Sequence, residues 1–344
     1  MKDGLHGTKK IKETDMKKIL ALIVLSIAMV SCYEEYLVDY PYTAIYFPFQ
    51  QNVRTFIVGE GMKIEVGASL GGVKQNDKDR NVSFVLDPAL VTPERLTALK
   101  TSSWGYIKDA TATVTTLKQL PANFYTMTPS TTTMVIKAGW HGGTVVIKAD
   151  STNFLNDSVN TKISTYVLPF RLTAADADSL LFAKRTAVIG VKFENMLFGN
   201  YWHGGAAVVN RPSKSDTTIL YKTTIPCPEN LIWTLTTNGP STLQCNGFYK
   251  NTVTAVKQFN LTKKGTKLYV SPAVGANAVI TQDGECTYNN SKLLQGRKLI
   301  LKYKYTETVA PFYTYHCTDT LTFRNRIHDG VNEWQDSNPS NYSK

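Results

Sequence analysis

The sequence predicts an all-β protein built as two domains in tandem. Three observations carry that prediction. From Tyr42 onward apolar and polar residues alternate with a period of two, and turns rich in Gly, Pro, Asn and Asp separate the runs. A chain of 344 residues that is 42% hydrophobic and 19% charged has material for two cores, and its composition is neither disordered nor collagen-like.

The amino terminus is an address rather than part of the fold. Lys17 and Lys18 precede an apolar run from Ile19 to Val30 that ends in Ser31 and Cys32. The run has the length of a signal-peptide core and falls short of the roughly 18 apolar residues a spanning helix needs. Residues 1–15 read as an upstream extension, because the positive region of a signal abuts its apolar run. Met29-Val30-Ser31-Cys32 resembles a bacterial lipoprotein box, whose thiol is acylated and becomes the new first residue. That resemblance implies a palmitate-bearing Cys32, loss of residues 1–31 and a lipidated tether over 32–41. Each buried methylene contributes about 0.8 kcal/mol, so several acyl chains hold a protein on its membrane. Glu34 and Glu35 resemble the acidic export signal that sends Bacteroidota lipoproteins to the outer face of the outer membrane.

The formal charge is +11, and removal of 1–31 takes away six lysines and three acids, leaving +8. Lys and Arg are scattered, with no run longer than a pair after the signal. A cell-surface address and scattered cations exclude nucleic acid as the partner.

In the first domain, placed at 42–194, Met62, Ile64 and Val66 alternate with Lys63 and Glu65, and Val82, Phe84 and Leu86 alternate with Ser83 and Val85. Met134-Val135-Ile136 and Val145-Val146-Ile147 are compact β-branched runs. Gly71-Gly72, Gln75 to Asp79, Asp87-Pro88, Leu120 to Asn123 and Gly142-Gly143 supply the turns. This spacing of short strands predicts a β-sandwich. The stretch Ala174 to Ser179 predicts a helical turn before the apolar run Val188 to Phe193.

The second domain, 195–344, is also β-rich. Phe259 and Leu261 lead through Lys263-Lys264-Gly265 to Leu268-Tyr269-Val270. Leu299, Leu301, Tyr303 and Tyr305 share one strand face, with Lys302 and Lys304 on the other. Leu321, Phe323 and Ile327 are placed opposite Thr322, Arg324 and Arg326. One apolar and one wet face is the pattern of an antiparallel barrel or sandwich.

Together with the lipoprotein box, Ile64 to Gly72, Val82 to Pro88, Leu120 to Tyr125 and Tyr166 to Phe170 resemble the immunoglobulin-like domain of Bacteroidota surface lipoproteins, domain of unknown function 1735. Gly199-Asn200-Tyr201-Trp202-His203-Gly204 and Phe323 to Trp334 resemble the lipocalin-like domain that often follows it. The resemblance implies an immunoglobulin-like β-sandwich followed by a lipocalin-like antiparallel β-barrel, which Trp202 and Trp334 help to close. It also implies a glycan-utilisation locus of the starch-utilisation type, with oligosaccharide or polysaccharide, the outer membrane and a TonB-dependent transporter complex as partners. Fold by itself does not establish such a function.

Candidate chemistry is sparse. Gly67-Ala68-Ser69-Leu70-Gly71 matches a nucleophile elbow, yet Ser69 continues a strand and no helix follows. No Asp-rich strand-end motif points to a glycosidase, so the chain reads as a non-enzyme, and no cofactor or metal is expected. His316 and Cys317 are adjacent on a strand and face opposite ways, which argues against a shared metal. Cys227, Cys245, Cys286 and Cys317 all fall in the second domain; two disulfide bridges and four buried thiols are both compatible with an exported chain.

A sugar's apolar ring face packs on an exposed aromatic plane while amides and acids bond its hydroxyls. Trp104 and Tyr106, and Trp140 in Gly139-Trp140-His141, sit among turn residues and are the glycan-binding candidates. Trp233, in an apolar run, reads as core. Five Asp-Ser/Thr triplets, beginning at Asp150, Asp157, Asp178, Asp216 and Asp319, resemble the O-glycosylation acceptor of the same bacterial group. The sequence thus predicts a surface lipoprotein that binds glycan, or assists a transporter in capturing it; a protein-binding surface module and a glycoside hydrolase are the alternatives.

Overall fold

A computed structural model describes residues 42–221, 231–249, 251–252, 258–274 and 280–336. Cys32, Glu34, Glu35, the tether and Cys227 lie outside the described residues. The chain forms an immunoglobulin-like β-sandwich followed by a closed lipocalin-like β-barrel.

One sheet of the sandwich runs in the order Ser179–Leu180, Ala44–Tyr46, Lys63–Gly71, Gly142–Ala149 and Tyr125–Thr128. The other runs Gln51–Val58, Thr186–Asn195, Tyr166–Ala175, Arg80–Leu86 and Thr133–Ile136. Ile64, Val66 and Ala68 of the first sheet meet Val82, Phe84 and Phe170 of the second around Phe56 and Phe154. Period-two alternation therefore does the work expected of it. The second sheet is covered on its far side as well, where Val53, Val167 and Val188 pack against Leu99, Ile107 and Ala110. Burial on both faces is why Tyr166 to Phe170 and Val188 to Val191 read as continuous apolar runs.

The covering helices, Pro93–Lys100 and Gly105–Thr111, were not anticipated from the alternation. The first has clear local causes: Thr92 caps it by accepting from Arg95 N, and Pro93 stands in its first turn. Ala174 to Ser179 forms no helical turn. It is the end of a strand, a bend and the start of a short strand, because Asp176 and Asp178 accept from the backbone of Asn81 (2.8 Å) and Thr43 (2.7 Å) on neighbouring segments.

The sandwich's last strand ends at Asn195 and the barrel's first begins at Gly199. Eight strands follow one another antiparallel: Gly199–Arg211, Ile232–Gly239, Thr242–Cys245, Phe259–Lys264, Lys267–Pro272, Cys286–Tyr288, Lys298–Thr306 and Thr314–His328. The last pairs with the first from Asn200↔Asn325 to Asn210↔Thr314, which closes the barrel. Tyr201, His203, Trp233, Phe259 and Tyr303 fill the described interior. Fully buried Asp319 sits among them, accepting from Tyr303 (2.7 Å) and Tyr221, with His203 Nε2 3.2 Å away but out of line for a hydrogen bond.

Trp202 and Trp334 close nothing. Trp202 falls on the outward parity between Tyr201 and His203 and carries Arg324 over its ring, and Trp334 is exposed. Cys245, Cys286 and Cys317 are buried free thiols, and burial pushes those of Cys245 and Cys317 up to about 12.

The simple alternation in the last barrel strand is also corrected. Tyr201 pairs with Phe323 but Asn200 pairs with Asn325, so one extra residue on the late strand forms a bulge. Past it the parity inverts: Ile327 is exposed, and Arg326, expected on the wet face, is buried. The turn at Gly59-Glu60-Gly61 of the sandwich inserts Glu60 against that guanidinium. Glu60 accepts from Arg326 (2.9 and 2.8 Å) and Arg297 (2.6 Å), whose side chains are 2% and 0% exposed. Arg326 also bonds Glu333 at 2.7 Å, and Arg297 donates to the Met196 carbonyl.

Removing Glu60 would strand the dry guanidinium of Arg297 and leave that of Arg326 with Glu333 as its carboxylate partner. Glu60→Ala is expected to cost about 3–5 kcal/mol in urea unfolding, and Glu60→Gln, which keeps the shape and an acceptor, less.

Candidate functional site

A groove runs along the edge of the sandwich to the seam between the domains as three adjoining depressions of about 280, 450 and 420 Å³, the first lined by sandwich residues alone and the other two bordered by both domains. The first lies beside Phe47, Pro48 and Phe49, over a floor of bare backbone at Gly67, Gly142 and Gly143. A Cβ on Gly67 would stand 2.5 Å from the Gly143 carbonyl, so the strands approach closely only because no side chain intervenes. Arg54 and Glu65 border the first depression and the second. Thr55, His328 and Asp329 border the second and the third, which continues past Tyr106 and Asp109.

The divider is the turn His328-Asp329-Gly330, contributed by the barrel to the sandwich. Asp329 accepts from Thr55 N (3.3 Å) and lies 3.6 Å from Arg54, and Gly330 (φ +83°) rests on the Tyr106 ring. An added Cβ at Gly330 would come within 2.7 Å of that ring. Tyr106 is held from its other end, since its hydroxyl donates to the buried Asn52 Oδ1 at 2.7 Å.

His328 has an acceptor at each ring nitrogen, Glu333 Oε1 at 3.0 Å and the Thr55 carbonyl at 3.3 Å. The imidazolium satisfies both, whereas the neutral ring donates only once. Burial lowers the His328 pKa, but the bond to Glu333 and the charges of Asp329 and Glu333 outweigh it and hold it above the usual 6.5. Burial raises that of Glu333, yet His328 and Arg326 hold it at about 2. Burial likewise opposes the charge on Glu60, and the two arginines still keep its pKa below 4.5.

Of the three aromatic candidates, the structure brings two together at this groove. Trp104, 55% exposed, stands at the start of the helix Gly105–Thr111 with its ring edge-on to Tyr106, centroids 6.3 Å apart. Trp140, 70% exposed, is on the turn before Gly142–Ala149 and borders none of the three depressions; its carbonyl accepts from Asn76. Phe49, Arg54, Glu65, His328 and Asp329 were missed. The one local signal among them was the Asp329-Gly330 dipeptide, a hairpin turn in sequence. Ser69 borders the groove from within an unbroken strand, without the turn and helix of an elbow. Among the acceptor-like triplets Ser151 and Thr320 are exposed, while Asp319 is committed to the barrel interior.

Residues 40–179 match a family model described as "-like, N-terminal domain". The chain is also similar to a crystal structure of unknown function from Bacteroides ovatus, at TM-score 0.58 and 17% identity over 87% of this chain and 99% of that one. The two-domain fold is a known one. A multidomain protein including DUF1735 from Bacteroides ovatus is more distant, at TM-score 0.40 and 13% identity over 85% of this chain and 100% of that one. No curated protein matches the chain.

The raised imidazole stabilises the folded seam fully below pH 6.5 and loses that contribution as pH rises through its folded value. The lowered carboxylates contribute above pH 4.5, and Glu333 loses its contribution as pH falls toward 2. Melting temperature across a pH series should therefore be highest between 4.5 and 6.5, and His328→Gln should flatten the alkaline side.

Proposed function

We propose that this protein is a lipid-anchored lipoprotein of the outer-membrane surface that binds glycan without cleaving it, alone or in support of a transporter complex. The observation that carries the reading is the exposed Trp104 beside the pinned Tyr106, at the edge of a groove walled by amides, hydroxyls and paired charges. Aromatic planes next to paired hydrogen-bonding groups suit a sugar, which has an apolar ring face and hydroxyls that both donate and accept. The absence of hydrolysis is part of the proposal; Glu60, the groove carboxylate that two arginines hold at a lowered pKa, is the opposite of what a general acid needs. The lipoprotein box at Cys32 and the acids Glu34 and Glu35 support the address.

A second reading, a module that contacts protein, draws on the barrel's far end. There Leu220, Val309 and Phe312 are exposed, at 78%, 73% and 55%.

An oligosaccharide array probed with residues 33–344 separates the two readings: binding supports the first, and no binding to any glycan favours the second. On any glycan that binds, Trp104→Ala and Tyr106→Ala should each weaken affinity about fivefold to tenfold by titration calorimetry, the worth of one aromatic contact, and Trp140→Ala should leave it unchanged. Product analysis after long incubation should find the glycan intact. Labelled palmitate should enter the wild type and not Cys32→Ser.

A further inference from the structure

The groove's length, floor and charge arrangement narrow the kind of glycan it would hold, given the glycan-binding reading above. Lys63 and Ser69, on one strand, border its second and first depressions. Six residue steps along a strand are about 20 Å, and the groove continues beyond that past the Asp329 turn to Asp109. Such a length accommodates a chain of several rings rather than one sugar. The glycine floor and the half-exposed Phe49 give a flat surface at one end, and the part-exposed Tyr106, its ring held under Gly330, borders the other.

Charges of both signs line the groove in near balance, and several are paired where they stand. Arg54 lies 3.6 Å from Asp329, Lys192 bonds Glu194 at 2.6 Å, and Glu60 lies between two arginines. Glu65 accepts from Thr144 and Lys162 donates to Asn238. Lys63 and Asp109 add one charge of each sign. The chain's positive excess is thus not gathered in the groove. An anionic sugar would meet about as many carboxylates as cations along the groove, and reaching Arg54 or Lys192 would break an existing pair, whereas neutral hydroxyls can bond both members of a pair without separating them.

We infer that the seam groove takes a linear, uncharged oligosaccharide that spans it from Phe49 to Tyr106, in preference to one bearing uronate or sulfate groups. Two ladders, one of neutral and one of uronic-acid oligosaccharides, test this by calorimetry on residues 33–344. Affinity should rise with length on the neutral ladder and should change less than about twofold between about 0.05 and 0.5 M salt, as expected where no net charge is neutralised. Phe49→Ala and Tyr106→Ala should each weaken the long neutral chains about fivefold to tenfold, while a short oligosaccharide should respond to one of them alone. Tighter binding of the acidic ladder with steep salt dependence would overturn the inference and leave the glycan reading standing, as would neutral affinity that does not grow beyond a disaccharide. Binding of neither ladder, nor of any array glycan, would remove both.

Discussion

The arrangement of the two domains depends on one carboxylate. Glu60 is nearly dry and meets two guanidinium groups that are drier still, one before the strand Lys298–Thr306 and the other late in Thr314–His328. A buried ion pair of this kind is weak as a source of net stability, because desolvation offsets most of the Coulombic attraction. Its strength lies in discrimination. Any other docking of the sandwich on the barrel would take from Arg297 its carboxylate partner and leave Arg326 with Glu333 alone, and that alternative is far less stable. The turn at Asp329 then falls against Thr55 and Tyr106, and the seam opens into a groove rather than a flat contact.

The barrel's own interior explains why the candidate site is outside it. Eight strands enclose a space that either holds a small ligand or is filled by side chains. Here the described interior is occupied by large aromatic residues around Asp319, whose carboxylate is engaged by two tyrosine hydroxyls. The candidate groove accordingly lies outside the barrel, on the sandwich edge and the seam, and domain boundaries are a common place for ligand sites.

The fold was largely legible. Alternation marked the strands that face one core, and turn residues marked where they end. The helices escaped because they are short: Pro93–Lys100 has eight residues and announces itself through Thr92 and Pro93 rather than through periodicity. The bulge beside Asn325 escaped for a different reason. One additional residue inverts every later side chain, and nothing in the string Phe323-Arg324-Asn325-Arg326 says whether it is inserted. At the site, Trp104 and Tyr106 were legible as aromatics among turn residues. Trp140 gave the same local signal, and the fold sets it on a different turn from the other two. Arg54 and Glu65 looked like any charges on the wet face of a strand.

The sequence by itself determined what depends on near neighbours: which segments become strands, which residues an unbroken strand turns inward, and where a stretch resembling a signal and an acylation box stands. Tertiary structure alone decided what depends on distant ones. Glu60 and Arg326 are 266 positions apart, and whether either charge is buried is a property of the pair, settled by the path of the chain between them. The groove has the same origin. Where it reaches the barrel its walls come from both domains, and periodicity along one strand carries no information about which strand of another domain will face it.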